Sequence, residues 1–251
     1  LIGFRAYGPK LAKEGANSGF DCWLKGVEYP TTNNRYFTAQ HGRTYHAYYG
    51  EGYDPYHVGS SAGCGGLSLW EDGRRVHSSV YDEYKRIANG PIRSIFELTY
   101  DDSWKKNGKN MKEIKRFTID LNSWFTKIES FFSGEDAGSQ QFAVGITTHD
   151  GKASAELGER SILCSEMMGG EYLGTGAVLA EPQPEKTMEI RVDKPDQSHT
   201  FIITKPTDKP IVYYTGFGWE KQGIETQEQL QKEIEKLTER IKYPLKVEIR
   251  R

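Results

Sequence analysis

The stretch that decides the fold is IRSIFELTYDDSWKKNGKNMKEIKRFTIDLNSWFTKIESFF, residues 92–132. Apolar and polar side chains alternate within it; in 96–100, for example, Phe, Leu and Tyr occupy every second position. The turn pairs Asn107-Gly108 and Asn122-Ser123 divide the stretch into segments. Alternation with a period of two residues and short polar turns is typical of antiparallel strands with one buried face. The stretch therefore predicts a three-stranded meander.

Segments of the same kind occur on both sides of the meander. Further strands are predicted at 66–70, 74–80, 81–88, 142–148, 161–165, 175–179, 188–192, 199–204, 211–216 and 245–249. One helix is predicted near the C-terminus, where Thr226 and Gln229 form a capping box. Its apolar stripe consists of Leu230, Ile234, Leu237 and Ile241. This order predicts a mainly β fold, an antiparallel β-sandwich with one C-terminal helix, with a jelly roll as the alternative.

Composition excludes several classes of protein. The net charge is −2 with acids and bases interspersed, so no nucleic-acid-binding face is predicted. No apolar run approaches the roughly 20 residues that a membrane-spanning helix needs. Three widely spaced cysteines without a C-x-x-C pair predict neither a disulfide framework nor a structural zinc site. Without a linker-like tract, residues 1–251 are expected to form a single domain.

The chain opens with LIGFR, which reads like the middle of a strand and has no initiator methionine. We therefore expect that the natural protein has an additional N-terminal region, including any signal peptide, before this sequence.

Residues 43–66, RTYHAYYGEGYDPYHVGSSAGCGG, are the strongest candidate for a functional site. They contain two histidines and five tyrosines together with Glu51 and Asp54 in a glycine-rich backbone. Residues 30–66 show no helical period, so a long loop with short strands is expected there, and long loops in compact domains are commonly functional.

Several motifs in order resemble an uncharacterised bacterial family, a domain of unknown function. The motifs are SGFDCW (18–23), YHAYYGEGYDPYHVG (45–59), GCGGLSLW (63–70), NGPIRSIFELTY (89–100), GTGAVL (174–179), YYTGFGW (213–219) and RIKYPLKVEI (240–249). The family is typically encoded in gene clusters for polysaccharide utilisation, near enzymes that degrade pectin and uronic acids. It is also similar to the supersandwich proteins of the galactose-mutarotase type.

The resemblance implies a bacterial carbohydrate-active protein that is periplasmic or secreted. The positions that match the family pattern are His46, Gly50, Glu51, Gly52 and Asp54. Where the family tends to have a second histidine or an acidic residue, this sequence has Tyr48 or Tyr49. An oligosaccharide or polysaccharide that contains uronic acid is the expected substrate; the sequence does not indicate an oligomeric state.

Cleavage of such a polymer by β-elimination needs a base for the proton next to the carboxylate, an acid for the leaving oxygen and a group that neutralises the carboxylate. The candidate catalytic residues of a polysaccharide lyase are His46, Tyr49, Tyr53 and Glu51. The candidate substrate-binding residues are Arg43, Asp54, Tyr56, Trp23, Trp219, Arg93 and Arg116, where Trp23 and Trp219 are expected to be exposed.

Other functions remain open at this stage. Glu51 and Asp54 are candidates for the carboxylate pair of a glycoside hydrolase, and His46 with Glu51 for the acid and base of a sugar mutarotase. The same three residues offer hard oxygen ligands and one imidazole for a divalent cation such as Ca²⁺. A non-catalytic glycan-binding module would use the aromatic side chains alone.

Overall fold

The computed structural model describes residues 1–194, 196–246 and 248. In chain order its strands are β1 (Phe4–Arg5), β2 (Asp21–Cys22), β3 (Leu24–Lys25), β4 (Gly52–Tyr53), β5 (Cys64–Glu71), β6 (Arg74–Val76), β7 (Glu83–Asn89), β8 (Arg93–Tyr100), β9 (Met111–Asp120), β10 (Phe125–Gly134), β11 (Phe142–Thr147), β12 (Ser154–Leu157), β13 (Ser161–Met168), β14 (Glu171–Glu181), β15 (Pro184–Ile190), β16 (His199–Thr204) and β17 (Ile211–Trp219). The α-helices are α1 (Thr32–Gln40), α2 (Asp102–Lys106) and α3 (Gln227–Lys242).

In the part of the chain that the structure describes, two principal sheets are formed. The large sheet has eight strands in the order β12-β13-β14-β17-β10-β9-β8-β7, and the small sheet has five in the order β15-β16-β11-β5-β6. Their ladders are antiparallel. The short pairs β1–β2 and β3–β4 lie outside both sheets. The prediction of a mainly β, antiparallel sandwich with a C-terminal helix is confirmed.

The predicted meander is present as β8, β9 and β10 in the large sheet. Phe117 at the centre of β9 lies opposite Phe96 on one side and Ile128 on the other. The rings of Phe96 and Phe117 are stacked with centroids 4.8 Å apart. Phe117 and Ile128 join a core that also contains Leu69 and Val144 of the small sheet. Full burial of each such side chain contributes about 1.5–3 kcal/mol, so the alternation determines which face of the meander is inside.

Two charged side chains also lie on the core face of β9. Glu113 and Lys115 are both 0% exposed, and the Lys115 ammonium donates to Glu113 Oε2 at 2.7 Å. The indole of Trp104 donates to the same oxygen at 3.1 Å, and Lys115 Nζ lies 4.0 Å from the ring centroid of Tyr100. Burial lowers the pKa of Lys115, although Glu113 opposes this shift. The core of the sandwich therefore encloses an ion pair whose two members depend on each other.

Helix α3 begins and packs as its sequence predicts. The Thr226 hydroxyl accepts from the amide of Gln229, and the Gln229 side chain accepts from the amide of Thr226. Leu230 and Ile234 are buried and pack with Val178 of the large sheet. The helix thus covers apolar side chains on the outer side of the large sheet, and its capping box satisfies amide donors at its start.

The prediction of a loop throughout 30–66 is wrong in its first part, where α1 forms. Of the residues of this helix only Arg35 is buried, so no apolar stripe marks it in the sequence. The Arg35 guanidinium donates to the carbonyl of Leu24 and lies over the ring of Trp23. A cation packed on an aromatic ring here replaces the apolar contact that usually fixes a helix.

The predicted strand over 245–249 includes residues that lie outside the described ones. Within the described chain, no helix has the length and apolar character needed to cross a membrane.

His199 at the start of β16 gives the fold a predictable acid sensitivity. Its ring is 1% exposed, and Nε2 accepts a hydrogen bond from the amide of Ala62 at 3.0 Å. Burial, and next the charge of Arg75, lower the pKa of His199 from 6.5 to about 4. The unfolded chain therefore takes up this proton first as the pH falls. We expect the stability from this group to be complete above pH 6.5 and to be lost between about 6.5 and 4, a loss of about 3 kcal/mol.

The measurement is urea unfolding between pH 7 and 4 for the wild type and for His199→Gln, which cannot take up this proton. The free energy of unfolding of the variant should fall less with acid than that of the wild type. His41→Gln, at an exposed histidine, should keep the wild-type slope. Equal slopes for His199→Gln and wild type would contradict the expectation.

Candidate functional site

A cleft of about 1140 Å³ opens between the N-terminal segment, α1 and the segment that follows it. Its lining includes Lys10, His46 and His57, and five tyrosines: Tyr7, Tyr36, Tyr45, Tyr56 and Tyr81. Phenol rings offer flat apolar surface together with a hydroxyl, which is the combination that suits a sugar ring. The cleft is thus aromatic and polar without being strongly charged.

Three charged residues meet beneath this cleft. Arg5 Nη2 lies 2.7 Å from Asp21 Oδ2 and 3.2 Å from Asp54 Oδ2. Both carboxylates have side chains that are 1% exposed. One guanidinium therefore holds two buried carboxylates that come from distant parts of the chain, β2 and the segment after β4.

The carboxyl pair does not titrate as ordinary aspartates. Burial, and next the charge of Asp54, raise the pKa of Asp21 to about 7, although Arg5 opposes the shift. Burial also raises the pKa of Asp54, again against the charge of Arg5. Near neutral pH the pair therefore carries less than two full negative charges.

Aromatic rings surround the Arg5 guanidinium. Its central carbon lies 4.9 Å from the ring centroid of Trp23 and 5.6 Å from that of Tyr45. The indole NH of Trp23 donates to Asp21 Oδ2 at 3.2 Å. Trp23 is therefore a buried support of the site and not the exposed ring that the sequence predicts.

His46 stands at the rim of the cleft in a defined orientation. Its Nδ1 lies 2.8 Å from the carbonyl oxygen of Asp54 and 3.6 Å from Asp54 Oδ2. A carbonyl oxygen only accepts, so Nδ1 carries the hydrogen and a neutral ring keeps its lone pair on Nε2. The side chain is 58% exposed, so Nε2 is accessible to a ligand. This is the arrangement of a general base oriented by a partner on its other nitrogen.

A glycine brings Asp54 to its position. Gly52 in β4 has φ +126°, and a Cβ atom there would collide with the carbonyl oxygen of Leu24 in the paired strand β3. Only glycine tolerates both the conformation and the close approach. The G-E-G-x-D motif is thus explained by backbone geometry at Gly52 and by the buried contact of Asp54 with Arg5.

The structure brings together three of the predicted site residues at the cleft, namely His46, Asp54 and Tyr56. The Tyr56 hydroxyl is buried and has no hydrogen-bond partner among the described residues. Catalytic or binding roles for these residues stay predictions.

Other predicted residues lie elsewhere. Glu51 does not line the cleft; it accepts from the Tyr29 hydroxyl and from Asn34 Nδ2, both at 2.7 Å. The Arg43 guanidinium lies 5.2 Å from the ring centroid of Tyr49, and both side chains are exposed outside the cleft.

The ring of Tyr53 packs against Trp219, with centroids 5.9 Å apart. Trp219 is 0% exposed and donates to Glu171, so the expectation of an exposed ring at this position is wrong. The reason is that the indole packs in a buried apolar cluster with Leu24 and Phe217.

Arg93 and Arg116 are both on the large sheet and both paired. Arg93 forms a bidentate pair with Asp120, and Arg116 binds Glu97 at 2.7 Å. Neither lines the cleft, so the structure does not bring them to the predicted site.

His46, Glu51 and Asp54 are not arranged as a metal centre. Among the described residues there is no group of three or more His, Cys, Asp or Glu side chains with metal-binding geometry. Glu51 is held by Tyr29 and Asn34, whereas Asp54 already faces a guanidinium. A bound cation would compete with that positive charge, so we propose no metal here.

The sequence reasoning missed Arg5, Tyr7, Asp21, Tyr36 and Tyr45. One signal was present: Asp21 stands in FDCW between residues expected to be buried, and a buried carboxylate requires a partner. Nothing local identifies Arg5 as that partner.

The profile of a domain of unknown function, DUF4861, matches residues 1–247. The chain belongs to the DUF4861 family. The resemblance to an uncharacterised family is thereby confirmed. A curated relative is the uncharacterized protein P7 of Formosa agariphila, which is 33% identical over 264 residues. That match covers 99% of this DUF4861 chain, which spans 65% of the relative's length.

A solved structure of a heparinase III overlaps with this DUF4861 chain at a TM-score of 0.43 and 13% identity. The overlap covers 82% of this chain and 30% of that protein. A similarity this weak carries no argument about function.

Proposed function

We propose that this chain is a carbohydrate-active protein that cleaves uronic-acid-containing poly- or oligosaccharides by β-elimination, in the periplasm or outside the cell. The observation that supports this is the orientation of His46. Its Nδ1 is engaged by Asp54, which leaves Nε2 as a base at the rim of a cleft with five tyrosines.

In the proposed reaction the C–H bond next to the substrate carboxylate breaks and its proton moves to His46 Nε2. The electron pair forms a carbon–carbon double bond, and the bond to the glycosidic oxygen breaks. A cleft tyrosine gives its proton to that oxygen; Tyr7 and Tyr45, which flank Arg5, are the candidates. Each such acid or base contributes on the order of a hundred- to ten-thousand-fold in rate.

The carboxylate of the substrate needs a positive partner in this reaction. The cleft is lined by two cations, Lys10 and Arg5. Arg5 is bound to Asp21 and Asp54, so Lys10, which is exposed, is the better candidate for a direct contact. This assignment replaces Arg43, Arg93 and Arg116 in the role of neutralising groups.

A non-catalytic glycan-binding module is the second candidate. It is favoured by the engagement of both buried carboxylates with Arg5, which leaves the tyrosines as the main contact surface. The same burial disfavours a glycoside hydrolase, because its two carboxyl groups must reach opposite sides of a sugar.

The test uses His46→Ala with His41→Ala as a matched control. Both histidines are exposed and both have Nδ1 near a backbone carbonyl, with His41 at 2.7 Å from Phe37. We expect His46→Ala to lower the rate by on the order of a hundred- to ten-thousand-fold with little change in glycan affinity, and His41→Ala to retain activity. The rate is measured as the absorbance of unsaturated uronate products over a panel of uronate polymers.

Glycan binding by wild type without turnover on any polymer of the panel would favour the binding module. The absence of both turnover and binding would contradict both candidates.

A further inference from the structure

His149 follows β11 and contacts the part of the cleft wall that residues 56–60 form. Its Nδ1 lies 2.9 Å from Glu166 Oε2 in β13, and its Nε2 lies 2.8 Å from the carbonyl oxygen of His57. Both ring nitrogens are therefore engaged at hydrogen-bond distance.

The two partners define the protonation state of the ring. A backbone carbonyl and an ionised carboxylate only accept hydrogen bonds, so both ring nitrogens must carry hydrogens for both bonds to form. That species is the positively charged imidazolium. Its pKa agrees in direction: burial lowers the pKa of His149, but the bonds to Glu166 and His57 outweigh burial and raise it above 6.5.

The segment that His149 holds is part of the cleft. Tyr56, His57 and Ser60 line it, and the rings of His149 and Tyr56 pack edge to face with centroids 4.7 Å apart. The segment is also held by Asp196, whose Oδ2 lies 3.3 Å from His57 Nε2 and 3.3 Å from the amide of Ser60, and by Asn17, which donates to the carbonyl of Gly59 at 3.1 Å. Tyr56 and Val58 pack in one apolar cluster with Leu173 of the large sheet, and His149 adds a hydrogen-bonded connection to that sheet through Glu166.

We propose that His149 is a positioning residue of the cleft, a doubly protonated ring that ties the wall formed by residues 56–60 to β13 through Glu166. The consequence for glycan binding rests on the function proposed above; the tie itself does not.

The other charged and titratable groups around His149 are consistent with a doubly protonated ring. They are Glu166 of β13, Asp196 of the turn before β16, the neighbouring Asp150, His57 of the wall, the phenol of Tyr56, whose pKa burial raises, and His199 of β16 with Arg75 of β6 behind it. The carboxylates favour the charged ring. His199, with a pKa lowered to about 4, is neutral near pH 7 and does not oppose it.

The sign of the pH dependence follows from the raised pKa. The stabilisation of the wall by His149 is complete below pH 6.5, the ordinary value, and is lost as the pH rises through the folded value. Loss of either ring hydrogen leaves a nitrogen lone pair facing an acceptor, so one of the two bonds is lost.

The first measurement is NMR of protein labelled with ¹⁵N-histidine. We expect both ring nitrogens of His149 to be predominantly protonated at pH 6.5 and to titrate above 6.5, the ordinary value for histidine. Glu166→Gln should lower the titration midpoint of His149. A midpoint at or below 6.5, or one ring nitrogen that is mainly unprotonated at pH 6.5, would overturn the proposal.

The second measurement is amide hydrogen exchange of residues 57–61 between pH 6 and 9, expressed as protection relative to the intrinsic rate. Protection in the wild type should fall as the pH rises from the pKa that His149 has when the wall is open to the pKa that it has when the wall is closed. Over that range the fall is up to about tenfold for each pH unit. His149→Gln and Glu166→Gln should show low protection with little pH dependence, and His41→Gln should behave as wild type. Wild-type protection that does not change with pH would overturn the proposal even if both variants fold.

Binding of a trigalacturonate probe separates this inference from the proposed function. If the cleft binds uronates, affinity should fall over the same pH range in the wild type and not in Glu166→Gln. If the NMR and exchange results hold and no binding occurs at any pH, the tie is supported and the uronate specificity is contradicted. Binding whose pH dependence is equal in wild type and Glu166→Gln would count against a positioning role.

Discussion

Lys115→Met is expected to lower the free energy of unfolding by about 3–5 kcal/mol. The substitution keeps an apolar stem of similar length but leaves Glu113 as an uncompensated charge in the sandwich core. Trp104 still donates to Glu113, but one neutral donor does not replace an ammonium group 2.7 Å away. The measurement is chemical denaturation at pH 7. The slope of the free energy of unfolding against denaturant concentration should equal that of the wild type, which confirms that the same surface is exposed on unfolding.

Two controls test whether the loss comes from the unpaired charge. Lys112→Met, on the same strand but not fully buried, should change stability by less than about 0.5 kcal/mol. The double variant Glu113→Leu/Lys115→Met removes both charges and should recover most of the loss, since buried ion pairs are often no better than apolar replacements. A double variant as unstable as Lys115→Met would show that the loss comes from packing instead.

Arg5→Met is expected to lower the free energy of unfolding at pH 7.5 by about 3–5 kcal/mol, with a much smaller loss at pH 4. Without the guanidinium, no Arg or Lys side chain among the described residues pairs with Asp21 or Asp54. Their folded-state pKa values, already raised from 3.8, should then rise further. The variant therefore has its full stability below about pH 4 and loses stability as the pH rises above that value. The loss arises because its folded carboxyl pair retains protons that the unfolded chain releases.

Arg93→Met is the matched control for this change. Arg93 also binds an aspartate with two hydrogen bonds, but its side chain is 57% exposed and Asp120 is 43% exposed. Its loss should be about 0.2–1 kcal/mol. A loss for Arg5→Met that is equal at pH 4 and pH 7.5 would mean that the cation–aromatic packing, not the carboxyl pair, accounts for its contribution.

Much of the fold is readable from local pattern. The predicted strands 92–100 and 111–121 correspond to Arg93–Tyr100 and Met111–Asp120, and the predicted stripe of α3 is buried at Leu230 and Ile234. Helix α1 was not predictable in the same way, because Arg35, its buried residue, packs on Trp23 from another element. Alternation likewise does not reveal that Glu113 and Lys115 lie inside, since their burial depends on Trp104 and Tyr100.

For the candidate site, too, some features follow from the sequence and others only from the tertiary structure. The sequence by itself determined that histidine, tyrosine and carboxylate side chains are concentrated in 43–66, and three of them, His46, Asp54 and Tyr56, line the cleft. Only the tertiary structure decided that Asp54 meets Arg5 and Asp21, that Trp219 is buried, and that His149 reaches the wall at His57. The physical reason is separation along the sequence: side-chain alternation and turn residues act over a few positions and so appear in the sequence. The contacts that make the cleft come from strand pairs such as β1–β2 and β3–β4 and from turns that the sheets bring together. The residues that meet in these contacts are distant in the sequence, so no local pattern identifies them.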